Sequence, residues 1–196
     1  LEAPDSWGSM SGSSLYVGVV EGFGNNTYDR GDGNPSYKNT ASFYAGGSLL
    51  TPVDGLAIGA AFDYRWDGET VVPVGGTYPL TGPDNWAYAI AGYVTFAASE
   101  KWDLALRADW TSGSDGTWYD AGTAGVSDQQ NRLFALTATA DYALWANVLT
   151  RFEVRWDRSL TDDSPYGGDL DPNNGGWDKD PDQAAVTLAA NLVFVF

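Results

Sequence analysis

Apolar and polar residues alternate almost without interruption along most of this chain, whereas helix-period patterns are hard to find. A period of two sends successive side chains to opposite faces of an extended backbone, so the alternation predicts strands. Eight are expected, near 14–23, 38–50, 55–67, 86–98, 101–112, 131–145, 147–158 and 184–196. The connections alternate in length. Short turns are expected at Thr51-Pro52-Val53-Asp54-Gly55, Ser99-Glu100-Lys101 and Ala146-Asn147, and long polar, Gly-rich loops near 24–37, 68–85, 113–130 and 159–183. Short turns at one end and long loops at the other are the asymmetry of an up-and-down barrel that crosses a bacterial outer membrane.

The faces are clearest in five strands. The third sets Leu56, Ile58, Ala60, Phe62, Tyr64 and Trp66 against Ala57, Gly59, Ala61, Asp63, Arg65 and Asp67. The fourth sets Trp86, Tyr88, Ile90, Val94 and Phe96 against Ala87, Ala89, Ala91, Tyr93 and Thr95. In the fifth, Trp102, Leu104, Leu106, Ala108 and Trp110 oppose Asp103, Ala105, Arg107, Asp109 and Thr111. Phe152, Val154 and Trp156 of the seventh oppose Arg151, Glu153, Arg155 and Asp157, and Val186, Leu188, Leu192, Phe194 and Phe196 share one face of the eighth. The sixth strand is weaker. The first is ambiguous, because Glu21 shares a face with Leu15, Val17 and Val19.

Alternation does not say which face points outward; three observations favour apolar outside. An eight-stranded barrel has an interior just wide enough for side chains to fill, too small for Trp66, Trp86, Trp102, Trp110 and Trp156 with the large aliphatics. The opposite face is mostly Ala, Gly, Ser and Thr with mixed charges, unlike the Lys- and Glu-rich surface of a soluble protein. Aromatics also gather at strand ends, Trp66, Trp86, Trp110 and Trp156 at the loop end and Phe96, Trp102, Tyr142 and Phe196 at the turn end. Such girdles mark the two membrane interfaces. The fold class expected is therefore all-β, an eight-stranded antiparallel up-and-down transmembrane β-barrel spanning 13–196, with 1–12 as a flexible periplasmic lead-in.

Composition narrows the function. Ten Lys and Arg in a chain of net charge −16 argue against nucleic acid. There is no Cys, which excludes disulfides and thiolate metal sites, and no His, which removes the commonest general base. Enzymes of this size in the outer membrane rely on His-Ser arrangements, and a lone Ser or Asp would lack its activating base, so no catalysis is expected. No apolar run approaches the roughly 20 residues of a membrane-spanning helix. The start, Leu1-Glu2-Ala3-Pro4, has no basic and apolar leader, so a mature exported form is expected.

The inward charges carry the candidate chemistry. Asp63, Arg65, Asp103, Arg107, Asp109, Asp141, Arg151, Glu153, Arg155 and Asp157 are expected to form a lumenal network, with Asp67 at its upper end. Folding the sixth and seventh strands about Ala146-Asn147 puts Asp141 opposite Arg151 and Thr137 opposite Arg155. Charges in a narrow barrel need partners, so the leading expectation is a salt-bridged, largely filled lumen in a structural or interaction-forming protein. The alternative is a porin-like channel, alone or as part of a larger barrel, with these residues as its filter. In the last loop Asp169, Asp171 and Asn173, with Asp180 at the twelfth position, resemble the start of a calcium loop. Its sixth position is Asn174 rather than Gly, so a solvated loop is the ordinary reading and calcium the alternative; no other cofactor is expected.

The closing strand ends in Phe194-Val195-Phe196 and resembles the C-terminal signal read by the outer-membrane assembly machinery, with Asn191 where a smaller residue is usual. The eight-strand layout is similar to the OmpA transmembrane domain. Arg151-Phe152-Glu153-Val154-Arg155-Trp156-Asp157, followed by a loop and that strand, is similar to the end of the OmpL-like β-barrel porins, which are generally longer. The resemblance implies a Gram-negative outer membrane, contact with lipid and lipopolysaccharide, insertion by the assembly machinery, periplasmic termini, and four external loops facing an unidentified extracellular or protein partner.

Overall fold

The structure is a computed structural model that describes residues 1–29, 35–68, 71–74, 77–81, 85–114, 131–161, 165–166 and 182–194. The strands are β1 (Ser14–Asp29), β2 (Pro35–Leu50), β3 (Leu56–Asp67), β4 (Val71–Val74), β5 (Thr77–Thr81), β6 (Asn85–Ala97), β7 (Trp102–Gly113), β8 (Asn131–Trp145), β9 (Val148–Ser159) and β10 (Ala184–Phe194). Eight of them form one antiparallel up-and-down sheet in the order β1-β2-β3-β6-β7-β8-β9-β10, while β4 and β5 pair separately. The fold class read from the alternation is the one found.

The short turns have local causes. Gly55, at φ +76, closes the 51–55 turn, and a Cβ there would lie 2.8 Å from the Ala97 carbonyl oxygen. Ser99 Oγ accepts from the Lys101 and Trp102 amides at 3.3 and 3.2 Å, and the Ala146-Asn147 turn carries a bulge between Ala143 and Trp145. At the loop end the sequence reading falls short. The first hairpin extends to Asp29 and Pro35, inside the expected 24–37 loop, after a register shift between Gly22 and Asn26. The β4–β5 hairpin lies inside the expected 68–85 loop. Beyond the membrane no face must be apolar, so pairing there leaves no alternation to read.

The exposure of the two faces is inverted relative to a soluble protein. Leu106, Phe152 and Val154 are 47%, 50% and 50% exposed, whereas Asp109 and Thr137 on the opposite face are 8% and 7% exposed. The apolar face thus has no protein against it, as lipid contact requires. Register settles the face of the ambiguous first strand: Glu21 pairs with Ala41, which pairs with Trp66, so Glu21 lies on the outward face.

β1 and β10 are the sheet edges, and no backbone hydrogen bond joins them among the described residues. Their register suits closure. Following register partners from Ser14 leads through Ser48, Gly59, Tyr93, Arg107, Thr137 and Arg155 to Thr187, from the foot of β1 to near the top of β10. Eight strands about 4.8 Å apart and tilted by about 40° accumulate an offset of roughly ten residues before the first strand recurs. That offset sets Phe194 beside Val17 and Leu192 beside Val19, outward residue against outward residue. The lower part of the same edge is already taken. Leu1 and Leu15 exchange N–H···O bonds of 2.8 Å, and the Ala3 amide donates to Ser13 O at 2.7 Å, after which Asp5–Met10 forms a 3-10 turn.

If the apolar face meets acyl chains, Leu106→Arg costs about 2–4 kcal/mol, the range for a midplane arginine on a barrel's lipid face. Reversible urea unfolding in lipid vesicles measures it; a cost below 1 kcal/mol would place Leu106 in water.

Candidate functional site: the inner wall

Each strand turns its small or charged residues to one side, and register brings these into continuous rows across the sheet. One row runs Tyr93–Arg107–Thr137–Arg155, and below it lies Asp103–Asp141–Arg151–Asn191. The row above holds Ala91–Asp109–Ala135–Asp157. All ten candidate charges, Asp63, Arg65, Asp103, Arg107, Asp109, Asp141, Arg151, Glu153, Arg155 and Asp157, lie on this one face.

Their pairing follows a rule that the sequence carries openly. Arg65 binds Asp67 at 3.1 Å, Arg107 binds Asp109 at 2.7 Å, and Arg155 binds Asp157 at 2.8 Å. Each is an Arg-x-Asp triplet within one strand, and a spacing of two keeps both groups on one face about 7 Å apart. The fourth pair crosses strands at the Asp141–Arg151 register position. Arg151 Nε and Nη2 donate to the two carboxylate oxygens at 2.7 Å each, the fork geometry of a bidentate pair. In every pair the guanidinium is more exposed than its carboxylate, most clearly for Arg107 at 55% against Asp109 at 11%.

Three carboxylates are left over. Glu153 accepts from Thr139 Oγ1 at 3.2 Å, and Asp63 and Asp103 make no hydrogen bond or ion pair among the described residues. Asp103 stands opposite Asp141, so the single Arg151 faces a pair of acids. Two aromatic side chains of this face, Tyr44 and Tyr93, also lie along the wall. A Cβ added at Gly59 would meet the Tyr93 ring, and one at Gly46 would meet the Tyr44 hydroxyl, so the two glycines are seats for the two rings. Tyr44, Tyr93 and their glycines were not singled out from sequence; Gly59 facing Tyr93 across two paired strands was the available signal.

Between the Arg107 and Arg155 stems the wall opens into a cavity of about 390 Å³ lined by Tyr93, Thr137, Thr139 and Glu153. Thr137 Oγ1 is buried there without a hydrogen-bond partner among the described residues.

The girdle residues sit as follows. Trp66 pairs in register with Trp86, whose ring stacks on Tyr88 at 5.8 Å; Trp110 pairs with Phe134, and Phe134 meets Trp156 edge-on at 6.1 Å. At the turn end Trp102 lies 4.7 Å from Tyr142, with Lys101 Nζ 5.9 Å from that ring. Phe194 ends β10 and is exposed, while Phe196 lies outside the described residues. Outside them too lie the calcium candidates Asp169, Asp171, Asn173 and Asp180. Among the described residues no group of three acidic side chains could hold a metal.

The Asp141–Arg151 fork should show a coupling of about 1 kcal/mol in a double-mutant cycle to Ala. Its geometry is good, but its half-exposed guanidinium is partly screened by water. Strictly additive unfolding energies would show that the two side chains act independently.

The comparisons with known proteins agree with this architecture. No curated protein and no solved structure matches the chain. Residues 6–196 match the family described as "Putative beta-barrel porin-2, OmpL-like". An inverted eight-stranded meander with a charged inner wall and a match over nearly its whole length make this chain a member of that β-barrel porin family of the outer membrane.

Proposed function

We propose that this protein is a porin-like conduit for small hydrophilic solutes, with inorganic cations favoured over anions. One observation carries the reading: the four ion pairs of the inner face and the rings of Tyr44 and Tyr93 are laid along the wall. Three of the four arginines are neutralised two residues away on their own strand, and the fourth by the adjacent strand. Tyr44 and Tyr93 fold onto glycines. Among the described residues no ion pair bridges opposite walls.

Charge sets the preference. Asp63, Asp67, Asp103, Asp109, Asp141, Glu153 and Asp157 face Arg65, Arg107, Arg151 and Arg155, seven carboxylates against four guanidiniums. The three uncompensated acids give the wall a net negative charge, and a low-dielectric wall concentrates its field in the lumen. Without His or Cys, and with its best-buried carboxylates held by arginines, the wall suits passive conduction rather than catalysis. In the orientation that matches this reading, the three short turns and both termini face the periplasm. The long connections face outward, among lipopolysaccharide and extracellular partners.

The second reading, a filled barrel that is structural or interaction-forming, is favoured by the narrow interior of eight strands. Planar-bilayer recording separates the two. Small steps should appear, with a reversal potential in a KCl gradient on the cation side, and Asp63→Asn with Asp103→Asn should move it toward zero. Silence from protein with native β circular dichroism would favour the filled barrel. Anion selectivity would contradict the charge argument.

A further inference from the structure

The outer face carries a second charge feature that conduction does not use. Four of the ten Lys and Arg residues line the inner wall. Among the described side chains of the eight-stranded sheet, the basic residues on the outward face are Arg132 on β8 and Arg158 on β9. Arg158 pairs in register with Phe134. The Leu160 amide donates to the Arg132 carbonyl at 2.8 Å, which puts Arg132 one step above the Arg158–Phe134 pair. The two arginines are therefore diagonal neighbours on adjacent strands, at backbone separations of roughly 7–8 Å, within reach of one anion. Both are exposed.

Directly below them is the loop-end girdle. Phe134 and Trp156 meet edge to face at 6.1 Å, Trp110 flanks Phe134, and Leu136 and Val154 continue the apolar strip. Aromatic girdles sit at the headgroup boundary, so a position one residue pair above them is the level of lipid phosphates. A lone arginine there would be ordinary snorkelling. Two arginines at diagonal register positions over an aromatic shelf can together grip a phosphate whose acyl chain lies beneath. The net charge of −16 repels anions in general, so only a local pair of this kind retains one.

We propose that Arg132 and Arg158 bind the phosphate of a membrane lipid headgroup in the leaflet at the long-loop end, with Phe134, Trp156 and Trp110 holding the chains below. The proposal rests on the apolar face meeting lipid and is independent of whether the lumen conducts.

Native mass spectrometry of the full chain in detergent tests it, with diphosphoryl lipid A and dephosphorylated lipid A of the same acyl chains as probes. The diphosphoryl form should be retained about tenfold or more over the other. Arg132→Gln with Arg158→Gln should abolish that preference, and Lys101→Gln, which removes one cation at the turn end, should leave it intact. Arg132→Lys with Arg158→Lys should fall between, because charge remains but the fork is lost. Equal retention of the two lipids by the unsubstituted chain would overturn the proposal whether or not the variants fold. So would an undiminished preference in the Gln variant, and displacement of the lipid by millimolar inorganic phosphate would make this a site for free anions instead.

Discussion

Backbone amides and carbonyls inside hydrocarbon have no water to turn to, and leaving each unpaired costs several kcal/mol. That constraint organises this molecule. It requires every strand in the membrane to be paired on both sides, and therefore a sheet whose two edges meet. The antiparallel meander from β1 to β10 and the offset between Ser14 and Thr187 both follow from it. Once the sheet is committed to closing, side chains have two destinations, lipid or lumen. A shift of one residue in any strand would exchange them, so register and alternation hold each other in place.

This explains which parts were legible in the sequence. From Leu56 to Trp66, or from Trp102 to Trp110, each position must be apolar or small and polar, and strand boundaries fall within a residue or two of expectation. The upper first hairpin and the Val71–Thr81 hairpin lie past the girdles, where either face meets water, and there pairing left no trace. Glu21 looked like an error in the first strand because sequence alone does not give register. Register places it on the outward face, two strands before Trp66.

The inner wall was legible as a set of charges and not as an arrangement. The cross-strand Asp141–Arg151 pair depends on the bulge between Ala143 and Trp145, since the Trp145–Val148 turn alone would set Asp141 opposite Phe152. The Arg-x-Asp triplets obey a different rule: a guanidinium long enough to fold back along its own strand has no need of the opposite wall. Arg65-Trp66-Asp67 and Arg155-Trp156-Asp157 each combine a girdle tryptophan outside with a self-contained ion pair inside. One short motif thus serves the interface and the lumen at once. Pairs confined to one strand also make few demands on barrel width, which lets the wall be charged without being bridged.

A single alternation sorts this chain between lipid and the barrel interior. The chain has no Cys, so single cysteines at each position from 102 to 111 can carry a nitroxide without background. In lipid vesicles, accessibility to dissolved oxygen should peak at 102, 104, 106, 108 and 110, and accessibility to a polar nickel chelate should run in antiphase, at 103, 105, 107, 109 and 111. The two profiles rising together, or oxygen favouring the odd positions, would contradict the assignment of β7's faces and with it the barrel described above.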